Sequence, residues 1–176
     1  DPRVSRSIAS HFASAINGSA ITRQTSFLKD MLEKNVANAS INLVDDPLLK
    51  RGLGSRLFDG EGLGTSKQTL IKDGILQQWL LDLSSAKQLN LKPTGNAKRG
   101  ISGPPSPGTT NLTLMNGKET PEVLISNGKD GLYITDMIGS SISMVTGDYS
   151  RGASGFWIKN GQLSQPITEA TIAGNL

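Results

Sequence analysis

At about residue 36 the apolar residues of this chain change period, and that change limits the fold more than any other feature of the sequence. Before it, Val4, Ile8, Phe12 and Ile16 recur every four residues with Ala15 alongside, one apolar helical stripe that Asn17-Gly18 should stop. The segment "TSFLKDMLEKN" (25–35) carries Phe27, Leu28, Met31 and Leu32 at similar spacing and predicts a second helix. After it come short apolar runs cut by glycine turns. "INLVDD" (41–46) reads as a strand, and "TLIKDGILQQWLLD" (69–82) as two strand-like runs about a Lys72-Asp73-Gly74 turn, the strongest hairpin signal in the chain.

A short helix is expected over "SSAKQLN" (84–90), then a long loop over "PTGNAKRGISGPPSPGTT" (93–110), whose length favours a functional role. Short strands follow at "NLTLM" (111–115), "LYITDM" (132–137), "ISMVTG" (142–147), "GFWI" (155–158), "QLSQPI" (162–167) and "TIAG" (171–174). The turn Lys159-Asn160-Gly161 makes 155–167 a second hairpin. The predicted class is therefore α+β: N-terminal helices followed by a predominantly antiparallel sheet of hairpins. A helical segment, 1–36, leads into a mostly β domain, 37–176.

Composition agrees with a turn-rich β fold: 36% of the residues are apolar and 5% aromatic, against twenty glycines and eight prolines. A chain of 176 residues can bury roughly 70% of its unfolded surface without crosslinks. It contains no cysteine, which excludes a disulfide scaffold, a cysteine zinc site and a thiol nucleophile. The net charge of +3 is scattered, with no long run of one sign and no aromatic residues interleaved among the basic ones, so direct nucleic-acid binding is not expected. There is no membrane-spanning run or signal sequence, and a cytoplasmic location is expected. The start at Asp1-Pro2 and the end just after a strand-like run suggest a region cut from a longer protein.

Few constellations can carry chemistry. A helical zinc site usually offers ligands one turn apart, but the neighbours of His11 at those offsets are Ser7 and Ala15, so a packed or interface histidine is the commoner reading. "GASGF" is not a nucleophile elbow. "GEGLGTSK" (60–67) places Thr65-Ser66 between Gly64 and Lys67 and so misses the phosphate-loop spacing. Asp45, Asp46, Asp59 and Glu61 cluster around a glycine-rich bend without calcium-loop spacing, which favours solvated charges or pairing with Arg51 or Arg56. "GDYSRGASG" (147–155) admits two readings: a strand and turn presenting Arg151 or backbone groups to a peptide, or a glycine bulge entering the next strand.

Taken in order, "VDDPLLKRGLGSRLFDGEGLGTSKQTLIKDGILQQWLLD", "PTGNAKRG", "PPSPGTTNL", "VTGDYSRGASGFWIKNG" and "ITEATIAGNL" resemble the C-terminal region of the TldD/PmbA family, and within it the PmbA branch, also called TldE and described as a modulator of DNA gyrase. The resemblance covers nearly the whole chain, and it implies that the family's N-terminal domain and extreme C-terminus lie outside these 176 residues. It implies a heterodimeric metallopeptidase that cleaves unfolded peptides, in which the TldD subunit carries zinc on an H-E-x-x-x-H helix. Set under that motif, the opening helix of this chain has serine at the ligand positions, Ser10 and Ser14, and His11 at the general-base position.

A hydroxyl does not replace imidazole on zinc. The resemblance therefore implies no catalytic residue and no cofactor in this chain, with zinc expected in a TldD-like partner. It also implies a heterodimer, or a homodimer in isolation, with unfolded peptides as substrates. Contacts to peptide or partner are expected at Arg56, Asp59 and Glu61 in "GSRLFDGEG" and at Asp148, Tyr149, Ser150 and Arg151 in "GDYSRGASG". The alternatives are a regulatory protein acting on DNA gyrase, by an indirect route, and a self-contained peptidase using His11, Asp148 and Arg151.

Overall fold

The computed structural model describes residues 1–176 apart from Ser140. Contacts divide the chain into two compact units, one of residues 8–115 and one of residues 1–7 with 116–176. The opening helix, α1 (Pro2–Ala15), begins in the second and continues into the first. Within it the buried residues are Ala9, Ala13 and Ala15, while Ile8 is 41% exposed, so small side chains rather than the branched stripe make its inward face.

In residues 8–115, Asn17 caps α2 (Gly18–Thr22) by accepting the backbone N–H of Ser19. The end of α1 is fixed by two backbone bonds, Leu80 N–H to Ile16 O and Gly18 N–H to Leu80 O. A four-stranded antiparallel sheet of order β3-β2-β1-β6 joins β1 (Leu43–Asp45), β2 (Gln68–Lys72), β3 (Ile75–Leu76) and, later in the chain, Leu112–Leu114 as β6. The predicted hairpin forms at Asp73-Gly74, both with positive φ, 49° and 78°, as a two-residue turn of the type that matches strand twist. Any side chain on Gly74 would meet the carbonyl of Ala37.

The helix expected near 84–90 is α3 (Leu83–Leu89); Asp82 and Ser85 form a reciprocal capping box and Asn90 closes it in the left-handed region. The long loop of 93–110 contains two paired strands, β4 (Ala97–Lys98) and β5 (Ser106–Pro107), which lie antiparallel. Ile16, Leu43, Leu70, Ile71, Leu76 and Leu80 are fully buried and make the core of this unit.

The helix expected over 25–35 does not form. Turns occupy the segment, because its polar groups are satisfied from outside it: Ser26 Oγ donates to Ala15 O, Glu33 N–H to Leu76 O, and Leu76 N–H to Lys34 O. Glu33, at φ 60°, is also outside helical geometry.

In residues 116–176, α4 (Pro121–Asn127), which the apolar pattern did not announce, starts at a Thr120 cap with proline in its first turn. Three antiparallel strands follow in the order β7-β8-β9: β7 (Gly131–Ile142), β8 (Asp148–Lys159) and β9 (Gln162–Asn175). The predicted hairpin turn at Asn160-Gly161 joins the last two. Shifts of register at 134/136, 138/141, 153/155 and 156/158 carry each strand across positions that read as breaks in the sequence. Hence the runs 162–167 and 171–174 are one strand, 132–137 extends to 142, and 143–147 is the turn after it. The α+β class with mostly antiparallel pairing is thus the class observed. Among the described residues no helix is long and apolar enough to cross a membrane.

Candidate functional site

The site begins on α1. Ser10 and Ser14 lie one helical turn apart on its exposed side, and Ser14 Oγ donates to Ser10 O at 2.9 Å. Both face a cavity of about 320 Å³, whose other walls come from Asn17, Lys98, Gly108 and Thr109 and from the apolar Ala13, Leu80, Pro107 and Leu112. Asn17 is already committed: its Nδ2 donates to Pro107 O at 2.8 Å while its Oδ1 caps α2. It is a strut between the helix end and β5.

H-E-x-x-x-H spans six residues, so with Ser10 in the first place the last falls on Ala15 rather than Ser14. Ala15 is fully buried and has no donor atom, whereas Ser14 faces the cavity. On either count the groups present are hydroxyls, a committed amide and an ammonium, and that donor set does not fit zinc. Among the described residues no three His, Asp or Glu side chains come together as a metal site.

Asp45 at the end of β1, fully buried, is bonded by Thr110, the residue after the lining Thr109. The N–H of Thr110 donates to both its oxygens, at 2.7 and 3.0 Å, and Asn96 Nδ2 approaches at 3.5 Å. Burial pushes its carboxyl above the usual range, against the pull of the Thr110 bond and of the Lys98 and Arg56 charges. Arg56 has its Nε and Nη2 buried with no hydrogen-bond partner among the described residues. The sequence showed Asp45 only as one of four clustered carboxylates. Lys98 lay within the quoted motif "PTGNAKRG", with nothing in its spacing to distinguish it.

Asp59 is 4% exposed and accepts the N–H groups of Glu61, Leu63 and Ala97, so its carboxylate organises the glycine-rich bend. Glu61 accepts the N–H of Leu83 at the start of α3. Arg56, Asp59 and Glu61 thus share the 8–115 unit, whereas Asp148, Tyr149, Ser150 and Arg151 lie on β8 in the other.

On β8, Asp148 receives hydrogen bonds from Thr146 Oγ1 at 2.6 Å and Asn175 Nδ2 at 3.0 Å, which hold its carboxyl below the usual range. Tyr149 Oη donates to Met137 Sδ and Arg151 Nη2 to Met137 O. Ser150 is exposed and pairs in register with Ser141 and Ala173. After Gly147, which ends the preceding turn, the "GDYSRGASG" segment is the first two-thirds of a central strand, with a bulge-like change of register beside Ser154.

Comparison with known proteins extends this picture. The family described as PmbA/TldA metallopeptidase C-terminal domain matches residues 1–176. Metalloprotease PmbA of Escherichia coli O157:H7 is 39% identical over 173 residues, 98% of this chain and 36% of that protein. Among solved structures, a protein from Bacteroides thetaiotaomicron named as a modulator of DNA gyrase superposes with a TM-score of 0.89 at 32% identity, over 99% of this chain and 38% of that one. TldE from Thermococcus kodakarensis superposes with a TM-score of 0.83 at 27% identity, over 96% of this chain and 39% of that one. The chain thus spans little more than a third of the length of these relatives.

Proposed function

The chain belongs to the PmbA/TldD family of metallopeptidases, and from that premise we propose that it forms the C-terminal part of a non-catalytic PmbA/TldE-type subunit. Its partner is a zinc-bearing TldD-type subunit, and the two together degrade or process unfolded peptides. The observation that carries this reading is the donor set on α1: where the resemblance puts zinc ligands, the chain has Ser10 and, by the two counts, Ser14 or Ala15. The identity to PmbA and the superposition on TldE support it.

The subunit supplies binding surface rather than chemistry. An extended peptide held by backbone hydrogen bonds at a sheet edge is gripped with little sequence preference, which suits unfolded substrates. Co-expression of the full-length protein with a TldD-type subunit tests the proposal. The two are expected to co-purify and to cleave an unfolded peptide, with loss of cleavage on chelation and recovery with zinc. The full-length protein alone should do neither. Stoichiometric zinc and cleavage without a partner would overturn the assignment.

The name attached to the Bacteroides structure favours a second reading, a regulator of DNA gyrase. A direct titration of gyrase with the purified protein separates the two, since the peptidase reading requires no binding there.

A further inference from the structure

We propose that the cavity lined by Ser10, Ser14, Lys98 and Thr109 is a carboxylate-binding pocket that takes the carboxylate of a short peptide segment. The inference rests on the geometry of the cavity and not on the subunit assignment.

The cation comes first. Lys98 makes no ion pair or hydrogen bond through its ammonium among the described residues, yet its stem is not loose. It runs along Gly108, where an added Cβ would stand 2.8 Å from Lys98 Cδ and 3.1 Å from Cε. The absence of a side chain at 108 makes the trough in which this stem lies, and Lys98, an exposed residue, is the one cationic residue that lines the cavity. Lys67, by contrast, lines the larger groove over 63–69 and 92–95 and already faces Asp46 at 3.7 Å.

The balance of charge comes second. No carboxylate lines the cavity. Asp45, whose carboxyl feels the charges of Lys98 and Arg56, is buried and holds the Thr110 N–H with both oxygens. The cavity lining itself therefore carries one cation and no anion, which favours an incoming anion.

Donors and size come third. The Thr109 hydroxyl has no partner among the described residues, and Thr109 lines the same cavity as Lys98, so it is available to donate there. The volume, about 320 Å³, lies at the lower end of ligand pockets and suits a peptide fragment rather than a folded partner. A carboxylate received by an ammonium and a hydroxyl makes charge-assisted hydrogen bonds, the stronger class.

The test uses the full-length protein and three probes followed by ligand-observed NMR and calorimetry: acetyl-Ala-Ala with a free carboxylate, the same dipeptide as its C-terminal amide, and acetyl-Asp-amide. One of the two carboxylates is expected to bind at least about tenfold more tightly than the Ala-Ala amide, and the tighter one identifies a chain end or an acidic side chain as the source. Lys98→Met should abolish the preference, Lys98→Arg should retain most of it, and Lys67→Met should leave it unchanged. Gly108→Ala, which displaces the Lys98 stem while keeping the charge, should weaken binding and serves if Lys98→Met fails to fold. Equal binding of amide and carboxylate, no binding of any probe, or unchanged binding by Lys98→Met would overturn the proposal. Each is a binding result and leaves the cleavage assay of the subunit assignment unaffected.

Discussion

The two units of this chain reach order by opposite means. Residues 8–115 are built from strands of two to five residues, yet they enclose six fully buried aliphatic side chains and a buried carboxylate held by a backbone N–H. The unit containing 116–176 has strands of twelve to fourteen residues, but Ala153 and Ile158 are its only buried apolar side chains among the described residues. β9 has no buried residue at all. Strand length measures how many backbone hydrogen bonds are made, whereas burial of side chains supplies most of the net stabilisation. The candidate pocket lies in the unit with the denser core, where a held geometry is to be expected.

The contrast can be broken most directly by one pair of identical substitutions. Leu70→Ala in the buried centre of β2 should cost about 2–5 kcal/mol in chemical denaturation. Leu163→Ala on β9, where the side chain is 50% exposed, should stay within about 0.5 kcal/mol. Equal losses in the full-length protein would show that the β9 face is covered there and would dissolve the comparison.

The next effect in size belongs to Asp45. Replacing it with Ala leaves the Thr110 N–H without its acceptor and should cost about 1–3 kcal/mol. Its pH signature is distinctive. Burial holds the folded carboxyl above the ordinary 3.8, so the folded chain keeps this proton to higher pH than the unfolded chain does. The contribution is complete below 3.8 and is lost as pH rises through the folded value; Asp45→Asn should remove that fall, measured as the difference between the two stability profiles. A difference that grows in the opposite direction would sink the assignment.

Asp82→Ala, which removes the α3 cap, should cost about 1 kcal/mol in the same measurement. The smallest effect is expected at Asp148 in the open sheet. Its carboxyl is held low by Thr146 and Asn175, so the stability it adds is present above the ordinary carboxylate value and is lost as pH falls through the folded one. Asp148→Asn should flatten that slight acid limb and no other part of the profile.

Local chemistry was legible where it was self-contained. Asp73-Gly74 and Asn160-Gly161 specified their turns, because each signal acts within four residues, and the short helix expected over 84–90 forms as α3. The segment 25–35 misled because its fate depends on Ala15 and Leu76, remote in sequence, which take up its polar groups. The long strands read as shorter runs because the irregularities that carry them onward lie at positions such as Gly139 and Ser154, which look like ends. For the site, the family motifs pointed to the neighbourhood, but the pairing of Lys98 with Gly108 is a contact across ten residues between β4 and the end of β5. No periodicity encodes such a contact.

The irregularity of β9 has a further consequence for the protein in solution. Within this sheet β9 is an outer strand, and a long, flat, unpaired edge is a template on which other chains can add and aggregate. Pro166 removes one donor from it, and Glu169, with φ at 58°, bends it out of straight register. The strand is therefore divided into short stretches that offer a stray strand little continuous purchase, so Pro166→Val together with Glu169→Thr should make the protein more prone to form fibres.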